Sequence, residues 1–117
     1  VMAYNIETII AEKYETIIRR NIGTSRARDF YDLHVFYNLY KDSINLEILK
    51  LAVTRTAKKR ESLDTMAEWE EIIEDMKMDT AIKELWKNYC ENNTYASEVS
   101  FENVMETTLH IAEMLGF

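Results

Sequence analysis

Six charged side chains in two short segments near the start of the chain have the types and spacing to take part in phosphoryl transfer. They are Glu12, Lys13, Arg26, Arg28, Asp29 and Asp32. Phosphoryl transfer requires cations that bind the phosphates, metal-binding carboxylates, and a group that orients or deprotonates the nucleophile. Lys13 and Arg28 are candidate cations, and the two aspartates are candidate groups to orient them or to accept a proton. A structural ion-pair cluster at the start of a buried helix would explain the same residues.

Lys13 interrupts the apolar stripe of a predicted first helix. Isoleucine and tyrosine side chains recur there at helical spacing, at positions 6, 9, 10, 14, 17 and 18. A lysine inside such a stripe either extends past its neighbours to solvent or meets an anion. Asp29 and Asp32 follow after a short turn, and helices joined in this way are antiparallel neighbours. We therefore predict that Lys13 reaches Asp29 or Asp32, directly or through one water, at the rim of an open cleft.

The segment at about residues 26–40 is predicted to be the central helix of the fold. Its apolar and aromatic side chains point almost all the way round a helix, which is typical of a helix buried among others. Arg28 and both aspartates share one sector at its start, where burying unpaired charge would be costly. These charges need partners, and Glu12 is a candidate partner of Arg26 or Arg28.

Composition and the scarcity of chain breakers favour an all-α protein. A chain of 117 residues suffices for one domain with a modest core. Proline is absent and glycine occurs only at positions 23 and 116, which disfavours a turn-rich β architecture. A helical pattern from Asn45 to about Arg60, and a capping-box pattern from Thr65 to Glu68, predict further helices. We therefore predict a single compact bundle of five to six helices over residues 1–117.

Other kinds of site and location are disfavoured. Cys90 is the only cysteine, so the chain has no internal disulfide and suits a reducing cytoplasm. His34 and His110 lack ligand-like spacing to Cys90, and no metal site is predicted. No apolar run approaches the roughly 20 residues that span a bilayer. No signal-peptide pattern opens the sequence either, so we predict a cytoplasmic protein that makes no membrane contact.

The net charge of −7 is unevenly distributed along the chain. Residues 1–60 carry 11 basic and 7 acidic side chains, whereas residues 61–117 carry 3 basic and 14 acidic ones. The basic half contains the candidate site, which suits a phosphate-bearing ligand. Lys58, Lys59 and Arg60 also close a predicted helix. Such a cluster either contacts RNA or satisfies the last carbonyl groups of the helix.

Two of these segments resemble motifs of one protein family. Residues 26–32, Arg-Ala-Arg-Asp-Phe-Tyr-Asp, resemble the Arg-x-Lys-Asp-x-Tyr-Asp signature of the AbiEii-type nucleotidyltransferase toxins. Residues 7–13, Glu-Thr-Ile-Ile-Ala-Glu-Lys, are similar to the Glu-Thr-x-x-Ala-Glu-Lys segment that precedes this signature in the family. The two motifs stand in the expected order and at the expected short separation. From about Trp69 onward the resemblance to the family's helical tail is loose.

The resemblance implies a bacterial toxin of a type IV toxin–antitoxin system, associated with abortive infection, that uses Mg²⁺ and a nucleoside triphosphate. In the implied site, Lys13, Asp29 and Asp32 act in catalysis, Arg26 and Arg28 bind the nucleotide, and Glu12 has a supporting role. Family members carry a Gly-Ser motif and an Asp-x-Asp metal pair in an N-terminal α/β domain, and this sequence contains neither. It therefore resembles the C-terminal helical portion alone and is expected to be inactive by itself. The implied partners are the N-terminal catalytic domain and an RNA or protein acceptor.

Arg28 stands where the family usually has lysine. Arginine keeps the charge and binds phosphate as a planar fork, but it does not readily lose a proton. A role that needs a neutral amine at this position is therefore disfavoured. The alternative function is a non-catalytic helical interaction module, in which the charged cluster is structural and an apolar surface forms a homodimer. A Gly-Ser motif followed by Asp-x-Asp upstream in the same reading frame would favour the enzyme.

Overall fold

The computed structural model describes residues 5–23 and 26–117 and forms seven α-helices within those ranges. The helices are α1 (Ile6–Arg20), α2 (Ala27–Tyr40), α3 (Leu46–Lys59), α4 (Leu63–Ala67), α5 (Trp69–Met78), α6 (Thr80–Asn92) and α7 (Phe101–Leu115). Short 3₁₀ turns lie at Asn21–Gly23, Lys41–Ser43 and Thr94–Ala96. The described residues contain no strand, so the predicted all-α bundle is confirmed. None of the described helices is long and apolar enough to cross a membrane.

Local sequence signals determine where four of the helices begin. Asn5, Asn45, Asp79 and Ser100 immediately precede α1, α3, α6 and α7, and each side chain accepts a hydrogen bond from a backbone N–H in the first turn. These bonds satisfy donors that have no partner inside the helix, and each stabilises the helix by about 1 kcal/mol. The predicted third helix, which starts at Asn45, is confirmed.

The first helix, α1, packs against α2, α3, α4 and α5. Its apolar stripe is buried in the core at Ile10, Ala11, Tyr14, Ile17 and Ile18. Contacts at both ends show that α3 runs beside α1 in the same direction. Near the start of α1, Glu7 accepts the backbone N–H of Asn45 at 2.8 Å. Near its end, Glu15 accepts a hydrogen bond from Arg60.

The second helix, α2, contacts α1, α6 and α7. Phe30 and Leu33 are each 1% exposed and Tyr37 is buried, which gives α2 one continuous core face. The sequence predicts that α2 is buried almost all the way round, and this prediction is wrong for the last turn of the helix. Leu39 and Tyr40 are exposed there, because none of the described helices covers that side of α2 at its end.

The predicted fourth helix is two helices. The capping-box pattern places a helix start at Thr65, but Thr65 lies inside the short α4, and Glu68 separates α4 from α5. The Glu68 N–H bonds to the Thr65 carbonyl, which ends α4 after five residues. This break raises the number of described helices to seven, and Met66 of α4 and Ile73 of α5 are both buried in the core.

Tyr14 offers a test of the core. It is fully buried, and its hydroxyl group makes no hydrogen bond within the described residues. Burial raises the pKa of this phenol well above its usual range, so the group stays neutral. Because an unpartnered buried hydroxyl costs about 1–3 kcal/mol, we expect Tyr14→Phe to raise the free energy of unfolding by about 1 kcal/mol in urea denaturation. Tyr37→Phe, which removes a hydroxyl 3.7 Å from the sulfur of Met114, should give no such gain. A loss of stability in Tyr14→Phe would show that the Tyr14 hydroxyl group has a stabilising partner in the core.

Candidate functional site

Lys13, in the middle of α1, lies between two carboxylates at the start of α2. Its Nζ is 3.2 Å from Oδ1 of Asp29 and 3.2 Å from Oδ2 of Asp32. The side chain of Asp29 is 4% exposed, whereas those of Lys13 and Asp32 are 27% and 19% exposed. The predicted direct contact between Lys13 and the aspartates is therefore confirmed, at the boundary between the core and solvent.

Two arginines also contact the aspartates and complete this group. Nε of Arg26 lies 3.0 Å from Oδ2 of Asp29, and its Nη2 lies 3.3 Å from Oδ1. Nε of Arg28 lies 3.7 Å from Oδ2 of Asp32, and the Arg28 side chain is 78% exposed. Three cations thus face two carboxylates, which leaves one positive charge in excess. We call these five residues the Lys13 cluster.

The local sequence explains most of the cluster. Arg26 and Asp29 are three residues apart, and Arg28 and Asp32 are four apart, so each pair lies on one face of the helix. Asp29 also lies in the first turn of α2, where a negative charge complements the helix dipole. Lys13 adds a second cation to each aspartate from α1, which further offsets the cost of burying Asp29. The cluster therefore joins α1 to α2 and holds its own cations in place.

The aspartates of the cluster do not fit a magnesium site. Each is already in contact with two cations, and Lys13 is shared by both. Mg²⁺ demands near-ideal octahedral coordination by oxygen atoms, and here it would have to displace Lys13. Across the described ranges, no group of three or more histidine, cysteine, aspartate or glutamate side chains is arranged to hold a metal ion.

Glu12 does not join the cluster. It is exposed and lines a small groove of about 190 Å³ between α1 and α3, together with Arg55, Lys59 and Arg60. The predicted pairing of Glu12 with Arg26 or Arg28 is therefore wrong. The reason is that consecutive residues of a helix differ in direction by about 100°, so Glu12 points toward α3 when Lys13 points toward α2.

A surface groove of about 440 Å³ lies between the start of α2 and α6. Its lining includes Arg26, Arg28, Leu85, Asn88, Tyr89 and Asn92. Both arginines of the Lys13 cluster therefore face this groove as well. The prediction that Lys13 lies at the rim of an open cleft is wrong for this groove, because Lys13 is not among the residues that line it and the two arginines are.

An aromatic group holds Tyr89 at this groove. The Tyr89 ring stacks on Trp86 with centroids 5.6 Å apart, and its hydroxyl lies 2.7 Å from that of Tyr95. Burial and the hydrogen bond with Tyr95 raise the pKa of Tyr89 well above its usual range, and the charge of Asp32 raises this pKa further while that of Arg28 lowers it. The phenol is therefore neutral and lies close enough to the Lys13 cluster to respond to its charges.

Sequence reasoning missed a second charged cluster around Glu15. This side chain is fully buried and accepts hydrogen bonds from Arg19 at 2.9 Å, from Ser62 at 2.7 Å, and from Arg60. The signal in the sequence was that Glu15 lies one turn before Ile18, inside the buried stripe. One cation of the basic stretch at residues 58–60 therefore ties the end of α3 to α1.

The two histidines line the same groove between α2 and α7, although 76 positions separate them in the sequence. Nδ1 of His34 lies 2.8 Å from the hydroxyl oxygen of Thr107, and burial lowers the pKa of His34. His110 is exposed and its ring centroid lies 6.1 Å from that of Tyr37. Spacing along the sequence gave no indication of this proximity.

Comparison with known proteins connects the chain to one family. The family model described as "Nucleotidyl transferase AbiEii toxin, Type IV TA system" matches residues 1–107. The match extends from α1 into the first half of α7, and it includes the Lys13 cluster and the groove beside it. A search of curated proteins and a search of solved structures gave no significant match.

Proposed function

Since the chain belongs to the AbiEii family of nucleotidyl transferase toxins of type IV toxin–antitoxin systems, we propose that it supplies the triphosphate-binding side of a nucleotidyl-transfer site. The observation that carries the proposal is the position of Lys13. Its ammonium group is fixed by Asp29 and Asp32 at the edge of the core, next to the exposed Arg28. Cations fixed beforehand in this way stabilise charge that develops on a phosphate without having to reorganise during the reaction.

Each residue of the Lys13 cluster has a separate role in this proposal. In nucleotidyl transfer an acceptor hydroxyl attacks the α-phosphate, a new P–O bond forms, and the bond to the β-phosphate breaks to release pyrophosphate. Lys13 and Arg28 bind the phosphates, including those that leave, and Arg26 supports them. Asp29 is nearly fully buried and orients Lys13 and Arg26. The more exposed Asp32 orients Arg28 and accepts the proton of the attacking hydroxyl.

The remaining parts of the site belong to an N-terminal α/β domain in this proposal. A Gly-Ser motif and an Asp-x-Asp pair in that domain would hold the phosphates and Mg²⁺, which neutralises phosphate charge when bound. Asp29 and Asp32 are occupied by cations and are not ligands for that ion. The acceptor is an RNA or a protein, the natural inhibitor is an antitoxin, and residues 1–117 alone do not transfer nucleotides.

A non-catalytic interaction module is the second candidate, and one observation favours it. Leu46, Ile48 and Leu51 on α3 are each between 44% and 50% exposed. Ile48 and Leu51 are three residues apart and share one face of α3, and a contiguous exposed apolar patch is typical of a surface that another protein covers. If the chain is such a module, it forms a dimer in solution through α3, and Lys13→Met leaves every activity of the protein unchanged.

Binding of inorganic tripolyphosphate to the isolated chain tests the first proposal. We expect Arg28→Ala to lower the affinity about three- to tenfold at low salt, because Arg28 is the most exposed cation of the cluster. The effect should shrink as the salt concentration rises. Arg55→Ala, which removes an exposed arginine on α3, is the matched control and should leave the affinity unchanged. Equal affinities of the two variants, measured by isothermal titration calorimetry, would contradict the proposal.

A further inference from the structure

The groove between α2 and α6 continues directly from the Lys13 cluster. Arg28 belongs to both, since it pairs with Asp32 on one side and lines the groove on the other. A phosphate bound by Arg28 would therefore place whatever is attached to it at the mouth of the groove. The volume of about 440 Å³ lies in the range of small-ligand pockets.

The lining of the groove combines apolar, aromatic and amide groups. Ala27 and Leu85 provide apolar surface, and Tyr89 provides a ring whose position is fixed by Trp86 and Tyr95. The Asn88 side chain makes no hydrogen bond within the described residues, so its amide can both donate to and accept from a ligand. A planar heterocycle with polar edges matches this combination, because its faces pack on aromatic rings and its edges pair with amides.

We propose that this groove binds the nucleobase of the nucleoside triphosphate, with Tyr89 as the stacking residue and Asn88 as the residue that reads the base. The inference rests on the proposed function and adds the base to the triphosphate site. A single nucleotide fits better than a long RNA. Among the described residues that line the groove, only Arg26 and Arg28 are charged, which provides cations for the phosphates of one nucleotide and no extended basic surface for a polyanion.

The experiment compares three probes by calorimetry on the isolated chain: nucleoside triphosphates, inorganic tripolyphosphate, and a short single-stranded RNA without a triphosphate. Tyr89→Ala should lower the affinity for nucleoside triphosphates about 5- to 100-fold, the range that loss of base stacking gives. Its affinity for tripolyphosphate should not change. Tyr89→Phe keeps the ring stacked on Trp86 but loses the hydroxyl contact with Tyr95, so it should retain most of the affinity for nucleoside triphosphates. Tyr40→Ala, at an exposed tyrosine at the far end of α2, is the matched control.

Asn88→Trp provides a second test that does not depend on whether Tyr89→Ala folds. Asn88 is exposed on α6, so a large side chain there fills the groove without disturbing the core, and it should reproduce the loss seen in Tyr89→Ala. If the wild type binds tripolyphosphate, and both variants bind nucleoside triphosphates as tightly as the wild type does, this inference is overturned and the proposed function stands. Binding of neither ligand by the folded wild-type chain would overturn both. A loss confined to the single-stranded RNA would assign the groove to an acceptor and also overturn the inference.

Discussion

Lys13→Met is expected to lower nucleotidyl transfer by about 100- to 1,000-fold in a protein that contains this chain together with the proposed N-terminal α/β domain, while the helices stay folded. This loss of rate is the one expected when a single fixed group that stabilises the charge of the transition state is removed. Lys13 has no replacement in the cluster, because it contacts both aspartates, whereas Arg26 pairs with Asp29 and Arg28 pairs with Asp32. Steady-state kinetics gives kcat/KM, and circular dichroism with thermal melting reports the fold.

The fold should survive this substitution because each aspartate keeps one arginine. Asp29 retains Arg26, and Asp32 retains Arg28. Lys59→Met removes an exposed lysine at the end of α3 and serves as the control, with unchanged kcat/KM expected. If Lys13→Met remains folded and fully active, Lys13 has a structural role alone, and the non-catalytic interaction module becomes the better hypothesis for the function of the chain.

Glu15→Ala is expected to lower the free energy of unfolding by about 3 kcal/mol. Breaking a buried ion pair by removing one partner costs about 3–5 kcal/mol, because the remaining charge is left without compensation. The lower end applies here because Arg19 and Arg60 are 34% and 37% exposed and can turn toward water. Ser62 is buried and loses its acceptor as well. Urea denaturation followed by circular dichroism measures the change.

Glu12→Ala is the matched control for this experiment. Glu12 lies three residues earlier on the same helix and is exposed, so its removal should change the stability by less than about 0.5 kcal/mol. Equal stabilities of the two variants would show that the Glu15 cluster does not hold α3 and α4 against α1.

Several features of this protein follow from the sequence alone because they depend on neighbours in the chain. The near absence of glycine and proline and the helical spacing of apolar residues determine an all-α fold. The same spacing determines which face of α1 enters the core, as Ile10, Tyr14 and Ile17 show. The contact of Lys13 with Asp29 and Asp32 can be predicted from the sequence, because the lysine lies within an apolar stripe and the aspartates follow at a short distance. Two helices joined by a short connection pack against each other as antiparallel neighbours.

Other features were decided only by the tertiary structure, because they depend on how distant helices cross. Glu15 meets Arg60 and Ser62 because α3 and α4 pack on α1, and no periodic pattern identifies that pairing. Tyr89 lies beside Arg28 because α6 packs against the start of α2. A hydrophobic pattern specifies that a face is buried, but it does not specify which other face covers it. That choice is made by side-chain packing between helices, and it places the groove next to the Lys13 cluster.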